Sequence, residues 1–179
     1  MQTYKMTIAG LERELPVFKV SDKVSIAAFI LFGDAEITVA AARDLLKKAP
    51  EFDYILTPEA KSIPLAHEMS RQSGKKYFVA RKGTKVYMAN PFSVSVKSIT
   101  TDKVQKLYLG EFEAKEMEGK RVLIVDDVIS TGESLEAVQI LAQKAGANIV
   151  GSAAVLAEGD ASLRDDIIFL EPLPLIIEE

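Results

Sequence analysis

Polar and apolar residues partly alternate over Thr3–Ala9 and again over Glu12–Val20, with Gly10 between them. A repeat of two marks a strand with one buried face, and a glycine between two such runs marks a turn. The next segment repeats at three and four instead. In EITVAAARDLLKK the apolar Ile37, Ala40, Ala41 and Leu45 share one helical face, Asp34 precedes them as a cap, and Pro50 lies just beyond the end. From there strands and helices alternate. Tyr54–Thr57 predicts a short strand; a helix begins at Ser62 or Ile63, with Pro64 in its first turn, and ends at Gly74; Lys76–Ala80 predicts the next strand. Val122–Val125 is apolar throughout, which fits a strand covered on both faces. Leu135, Val138 and Leu141 recur at helical spacing up to Gly146, and Asn148–Leu156 returns as a strand. This order predicts an α/β chain: a Rossmann-like, mainly parallel sheet flanked by helices.

Between Arg81 and Gly119 the pattern changes to β-prone residues broken by Gly83, Asn90-Pro91 and the polar SITTDK. A β-hairpin or flap inserted into the core is expected there, and segments of this kind commonly serve as lids. No repeat, low-complexity tract or interdomain linker interrupts the 179 residues, so one domain is expected over 1–179. The formal net charge of −4 argues against a nucleic-acid partner. Without cysteine there is neither a disulfide framework nor a catalytic thiol, which fits a reducing compartment. The longest early apolar run, Ile26–Phe32, is far shorter than the ~20 residues of a membrane span and has no flanks of a secretory signal. The expectation is a cytoplasmic protein without a membrane partner.

Asp126 and Asp127 follow directly on Val122–Val125. Two adjacent carboxylates at the end of a buried strand repel each other and need compensation. Ligands of open parallel sheets bind beyond the carboxyl ends of the strands, where this pair would lie. Ser130-Thr131-Gly132-Glu133-Ser134 then turns the chain into the next helix. Unpaired backbone N–H groups and the helix dipole favour an anion there; Ser130, Thr131 and Ser134 add hydroxyl donors, and Gly132 permits close approach or a positive φ. Acceptors for hydroxyls or a metal beside a phosphate cradle match a sugar phosphate. Two other readings remain open: S-x-x-E at Ser130–Glu133 is also a capping box, and VLIVDD is similar to the acidic cluster of receiver domains, although there the pair follows the first strand.

The run from Val122 to Ser134 resembles the 5-phosphoribosyl 1-pyrophosphate (PRPP) motif of type I phosphoribosyltransferases, and the resemblance extends over most of the chain, closest to the adenine branch. It implies a hood over about 1–33 and 160–179 and a flap over about 82–109, with Ser95–Leu109 closing over the site. It implies that Asp126 and Asp127 hold the ribose hydroxyls, directly or through water on Mg²⁺, and are the catalytic pair. Ser130, Thr131, Gly132, Glu133 and Ser134 would bind the 5′-phosphate. Glu59, Ala60, Lys61 and Ser62 would bind pyrophosphate, in a loop that often has a non-proline cis bond in such families. Arg81, Lys82 and Lys85 would neutralise pyrophosphate, across a dimer interface in a homodimer. Phe32 and Ser98 fall at base-binding positions.

The implied reaction transfers the phosphoribosyl group of PRPP to a free purine, adenine first, giving a nucleoside monophosphate and pyrophosphate. The alternative is a non-catalytic PRPP- or nucleotide-binding regulator of the same fold. Three departures from the adenine pattern matter: Ser98 stands where the flap has a glutamate before a turn matched by Thr101-Asp102, Gly33 follows Phe32 in place of an arginine, and Lys61-Ser62 replaces Arg-Gly. The only histidine, His67, falls mid-helix and is expected to pack or face solvent. Phe29 and Phe92 are expected in the core rather than against a base.

Overall fold

Leu123 and Val125 pack on one side of a sheet, Val122 and Ile124 on the other, and all four are buried. Successive side chains of a strand point to opposite faces, so a strand covered on both sides shows no alternation. The structure, a computed structural model, describes residues 2–97 and 104–177. Its elements are β1 (Thr3–Ile8), β2 (Leu11–Lys19), β3 (Val24–Ala27), α1 (Ala35–Lys48), β4 (Tyr54–Pro58), α2 (Ile63–Ser73), β5 (Lys76–Ala80), β6 (Phe92–Lys97) and β7 (Val104–Leu109). There follow α3 (Glu111–Met117), β8 (Arg121–Ile129), α4 (Glu133–Lys144), β9 (Asn148–Glu158), a 3₁₀ turn (Gly159–Leu163), β10 (Ile168–Leu173) and β11 (Ile176–Ile177). None of the described helices is long and apolar enough to cross a membrane.

Five strands form a parallel sheet in the order β10-β9-β8-β4-β5, which puts β8 at its centre. On one face Ile37, Ala41 and Leu45 of α1 and Leu65 and Met69 of α2 bury Ile55, Leu123 and Val155. On the other, Leu135, Val138 and Leu141 of α4 and Leu107 and Leu109 of β7 cover Leu56, Val122 and Ile124. β6 and β7 form a separate antiparallel pair, registered from Phe92↔Leu109 to Lys97↔Val104. Mutual backbone hydrogen bonds between Arg81 and Tyr108 fasten this hairpin to the chain just after β5.

A second sheet has the order β1-β2-β3-β11. Its first hairpin closes through Ala9 and Gly10, both at positive φ, the two-residue turn that matches strand twist. Arg13 of β2 reaches the start of α1 with a forked contact to Asp34 (2.7 and 3.1 Å), while Asp34 accepts the Ile37 N–H as the helix cap. That guanidinium holds the Asp34 carboxyl below its ordinary range.

Two boundaries differ from expectation. β8 runs on through Asp126 and Asp127 to Ile129, because β9 is long enough to pair with it as far as Ala157. Within 160–179, grouped with the hood from sequence, Ile168–Leu173 pairs in parallel with Ala153–Glu158 and becomes an edge of the main sheet; Ile176–Ile177 alone joins the N-terminal strands among the described residues. The 3₁₀ turn after β9 brings the chain back alongside it, and a parallel partner for an exposed edge satisfies backbone groups that a loop would leave to water.

Candidate active site

Asp126 and Asp127 sit near the carboxyl end of the central strand, and both are buried. Asp126 Oδ1 accepts the Asp127 N–H at 2.8 Å. Burial, and after it the neighbouring Asp127 charge, push the Asp126 carboxyl well above the ordinary range, with Lys61 opposing the shift. Lys61 Nζ lies 2.9 Å from Asp127 Oδ2, an ion pair without hydrogen-bond alignment. The carboxylates are therefore compensated in part by one half-exposed cation, and the remaining cost of their burial is what a ligand's hydroxyls or a metal would relieve.

After Ile129 the chain turns through 130–132 into α4, which opens at Glu133 with Gly132 as its cap. Gly132 has φ +85°, a backbone region open to glycine at little cost. A Cβ there would meet Arg164 Nη1 at 2.8 Å, so the loop and this guanidinium are in close contact. The capping box considered from sequence is not how the helix starts, since Ser130 precedes the cap by two residues. Asp126, Ser130, Thr131, Gly132 and Ser134 line one small recess at the amino end of α4. Backbone N–H groups and dipole there favour an anion.

The second loop follows β4. The Glu59–Ala60 peptide is cis. The buried Thr57 hydroxyl donates to the Val125 carbonyl at 2.8 Å and lies 2.8 Å from Ser62 Oγ, which in turn reaches the Pro58 carbonyl at 3.1 Å. These contacts tie the loop to β8 one residue before Asp126. Ser62 is thus spent on holding the loop. Glu59 Oε2 accepts the Lys82 N–H at 2.9 Å and lies 3.4 Å from Arg81 Nε, so this carboxylate brackets the chain after β5.

A cavity of about 590 Å³ joins the two loops. Glu59, Ala60, Lys61, Ser62 and Lys82 lie on one side and Asp126, Asp127, Ser130 and Ser134 on another. Its remaining wall comes, Glu158 apart, from the segments expected as hood and flap, though none of these residues was assigned to the site from sequence: Ile26–Ile30 and Leu173 supply apolar surface, and Gln105 and Glu158 polar groups. Glu158 ends β9 beside β8, and burial raises its carboxyl while Lys61 opposes. The rule that pointed to Asp126, an acid behind a buried parallel strand, applied equally to Glu158 behind Ala153–Ala157.

Several expected residues lie elsewhere. Phe32 is exposed on a separate groove with Gly33, Pro64 and His67. Lys85 is exposed and outside the cavity lining, Arg81 is turned to Glu59, and Glu133 is the first residue of α4. Phe29 is buried in the core yet borders the cavity, whereas Phe92, which opens β6, is half-buried against the core on the other face of the sheet. Ser98, Thr101 and Asp102 fall outside the described residues.

Residues 33–174 match the family model of the phosphoribosyl transferase domain. The chain belongs to the phosphoribosyltransferase family. It is 37% identical over 134 residues to a hypoxanthine/guanine phosphoribosyltransferase of Methanococcus voltae, covering 75% of this chain and 68% of that protein. An adenine phosphoribosyltransferase of Rhodococcus jostii is 31% identical over 70% of this chain and 69% of its own length. The purine biosynthesis transcriptional repressor PurR of Bacillus subtilis is 27% identical over 98% of this chain, but over 60% of its own length. Among solved structures, the adenine phosphoribosyltransferase of Thermoanaerobacter pseudethanolicus superposes with a TM-score of 0.67, covering 79% of this chain and 84% of that one at 23% identity. The fold is that of the type I enzymes.

Among the described residues no group of three or more His, Cys, Asp or Glu side chains encloses an ion by itself. Two hard carboxylates beside an anion cradle nevertheless suit Mg²⁺, which keeps several waters and shares its shell with phosphate oxygens. Asp126 and Asp127 would be its protein partners.

Proposed function

We propose that this phosphoribosyltransferase-family chain transfers the phosphoribosyl group of PRPP to a purine, adenine first and hypoxanthine or guanine next, releasing pyrophosphate. The observation carrying it is the cavity whose lining brings together Asp126 and Asp127, Ser130 and Ser134 of the cradle, and the Lys61 and Lys82 cations. A PRPP molecule has groups in that order: 5′-phosphate, ribose hydroxyls, pyrophosphate. A ring nitrogen of the base forms the bond to C1′ as the bond from C1′ to the pyrophosphate oxygen breaks; that electron pair leaves with pyrophosphate, and the proton of the ring nitrogen passes to water or to the departing pyrophosphate. Asp126 and Asp127 orient the ribose; Lys61 and Lys82 stabilise charge developing on the leaving group. Mg²⁺ supplies further neutralisation of pyrophosphate when bound.

Ile26, Ala28 and Ile30 offer a flat apolar surface for the base, and Glu158 a polar partner at its edge. In a homodimer, the exposed Lys85 would be available to a second copy. Incubation with PRPP, Mg²⁺ and each of adenine, hypoxanthine, guanine and xanthine, with pyrophosphate release measured, tests the assignment. Release with one purine supports it. A second reading, a PRPP-sensing regulator, is favoured by the 98% coverage in the match to a purine repressor. Tight Mg·PRPP binding without release for any base would select that reading, and absence of PRPP binding would overturn both.

A further inference from the structure

β7 alternates in burial. Val104 and Lys106 face outward, while Leu107 and Leu109 are buried. Gln105 shares the inward row, two residues before Leu107, and comes out over the cavity instead of the core. A polar residue at an inward strand position is informative, because packing alone would favour another aliphatic. Its amide faces the phosphate cradle: Nε2 lies 3.3 Å and Oε1 3.4 Å from Ser134 Oγ.

A serine hydroxyl has one proton and two lone pairs, and an amide has both a donor and an acceptor end. If Ser134 donates to Oε1, its proton is unavailable to an anion. If it accepts from Nε2, the proton is free to point into the loop. A phosphate in the cradle has only acceptors, so its arrival selects the second arrangement.

We propose that Gln105 is a positioning residue for the 5′-phosphate: it donates Nε2–H to Ser134 Oγ and so turns the hydroxyl proton toward the bound anion. This rests on the PRPP-binding assignment above. It also makes the β6–β7 hairpin sense an occupied cradle, since the hairpin's amide and the ligand compete for or share one hydroxyl. Both contacts are at the long end of the hydrogen-bond range, so the effect on affinity is modest, about three- to tenfold.

Calorimetric titration of wild type, Gln105→Ala and Gln105→Glu with ribose 5-phosphate, and separately with Mg·pyrophosphate, tests it. Gln105→Ala should weaken ribose 5-phosphate by about three- to tenfold and leave pyrophosphate unchanged. Gln105→Glu keeps the shape, removes the donor and adds a like charge near the phosphate, so a loss of roughly 30-fold is expected at neutral pH. In a Ser134→Ala background, Gln105→Ala should cost nothing further. Equal loss for both ligands, no loss, or full additivity with Ser134→Ala overturns the inference while leaving PRPP binding intact. Failure of wild type to bind ribose 5-phosphate overturns the inference and the assignment beneath it together.

Discussion

Asp126→Asn should make the metal-free protein more stable at neutral pH while weakening its hold on PRPP. The wild-type carboxyl is buried beside a second carboxylate, and burial is the larger cause of its raised proton affinity. In the folded chain Asp126 therefore binds its proton more tightly than in the unfolded chain, where it titrates at about pH 4. As pH rises from about 4 toward neutrality and beyond, the unfolded state loses that proton first. The folded state then holds the excess of protons, and stability falls across this window until the folded carboxyl has also ionised.

Each tenfold displacement of the proton equilibrium is worth about 1.4 kcal/mol. Burial next to a like charge raises the proton affinity of this carboxyl even with Lys61 nearby, so a gain on the order of a few kcal/mol is at stake. Asn is isosteric, keeps an oxygen for the Asp127 N–H, and never carries the charge. Urea unfolding in EDTA from pH 4 to 8 should show wild-type stability declining with pH and the Asn variant declining less, with a gain on the order of a few kcal/mol near pH 8. Titration with Mg·PRPP should show the reverse order, a loss of at least about tenfold. A variant less stable than wild type throughout, or one with the same pH slope, would refute the account of Asp126 as a strained carboxylate kept for its ligand.

Lys61→Ala should weaken Mg·pyrophosphate binding by about tenfold and leave nucleoside monophosphate affinity nearly unchanged, because the proposed function puts the leaving group at this cation's loop; titration of the two ligands checks this, and equal losses would contradict it. The same change removes the partner of buried Asp127, but since the Lys61 side chain is 54% exposed the stability cost should be only about 1 kcal/mol by chemical unfolding. Gly132→Ala should cost about 1–2 kcal/mol in unfolding experiments, from its positive φ and the approach of Arg164, and should reduce ribose 5-phosphate affinity beyond detection by calorimetry.

The central strand was legible because Val122–Val125 has no polar face to show, and the helix limits because Asp34, Pro64 and Gly74 act locally. The cavity's other wall was hidden for a physical reason. From Ser25 to Phe32 burial alternates: Ser25, Ala27, Phe29 and Leu31 are inside, whereas Ile26, Ala28, Ile30 and Phe32 face out. Both faces are mostly apolar, one for the core and one bordering the cavity, so periodicity vanished from the sequence. β11 pairs with β3, far from it in sequence, while β3 pairs on its other side with β2; the first of these pairings no local pattern reports. Gln105 lies in the segment expected to close over the site, but its contact was not legible: it is one polar letter in a β-prone stretch, and its place opposite Ser134 depends on how the hairpin docks on α4.

Under the proposed function the site divides into two halves that rely on different physics. The half for ribose and phosphate relies on charge: buried Asp126 and Asp127, the loop at the start of α4, Lys61 and Lys82. Charge-assisted contacts of this kind supply affinity whether or not a reaction follows. The half proposed for the base would rely on shape, with Ile26, Ala28, Ile30, Leu173 and Glu158 lining the cavity there. Shape decides whether the attacking nitrogen meets C1′, and a misplacement of about 1 Å can cost on the order of 10²-fold in rate. A chain that keeps the first half and alters the second will therefore still bind PRPP, and will differ in which base it uses or whether it uses one. A hypoxanthine/guanine enzyme, an adenine enzyme and a purine repressor all match this chain. If the proposed function holds, substitutions in the apolar wall or at Glu158 should redistribute turnover among purines without loosening the grip on PRPP, which pyrophosphate release with each purine and titration with Mg·PRPP would check.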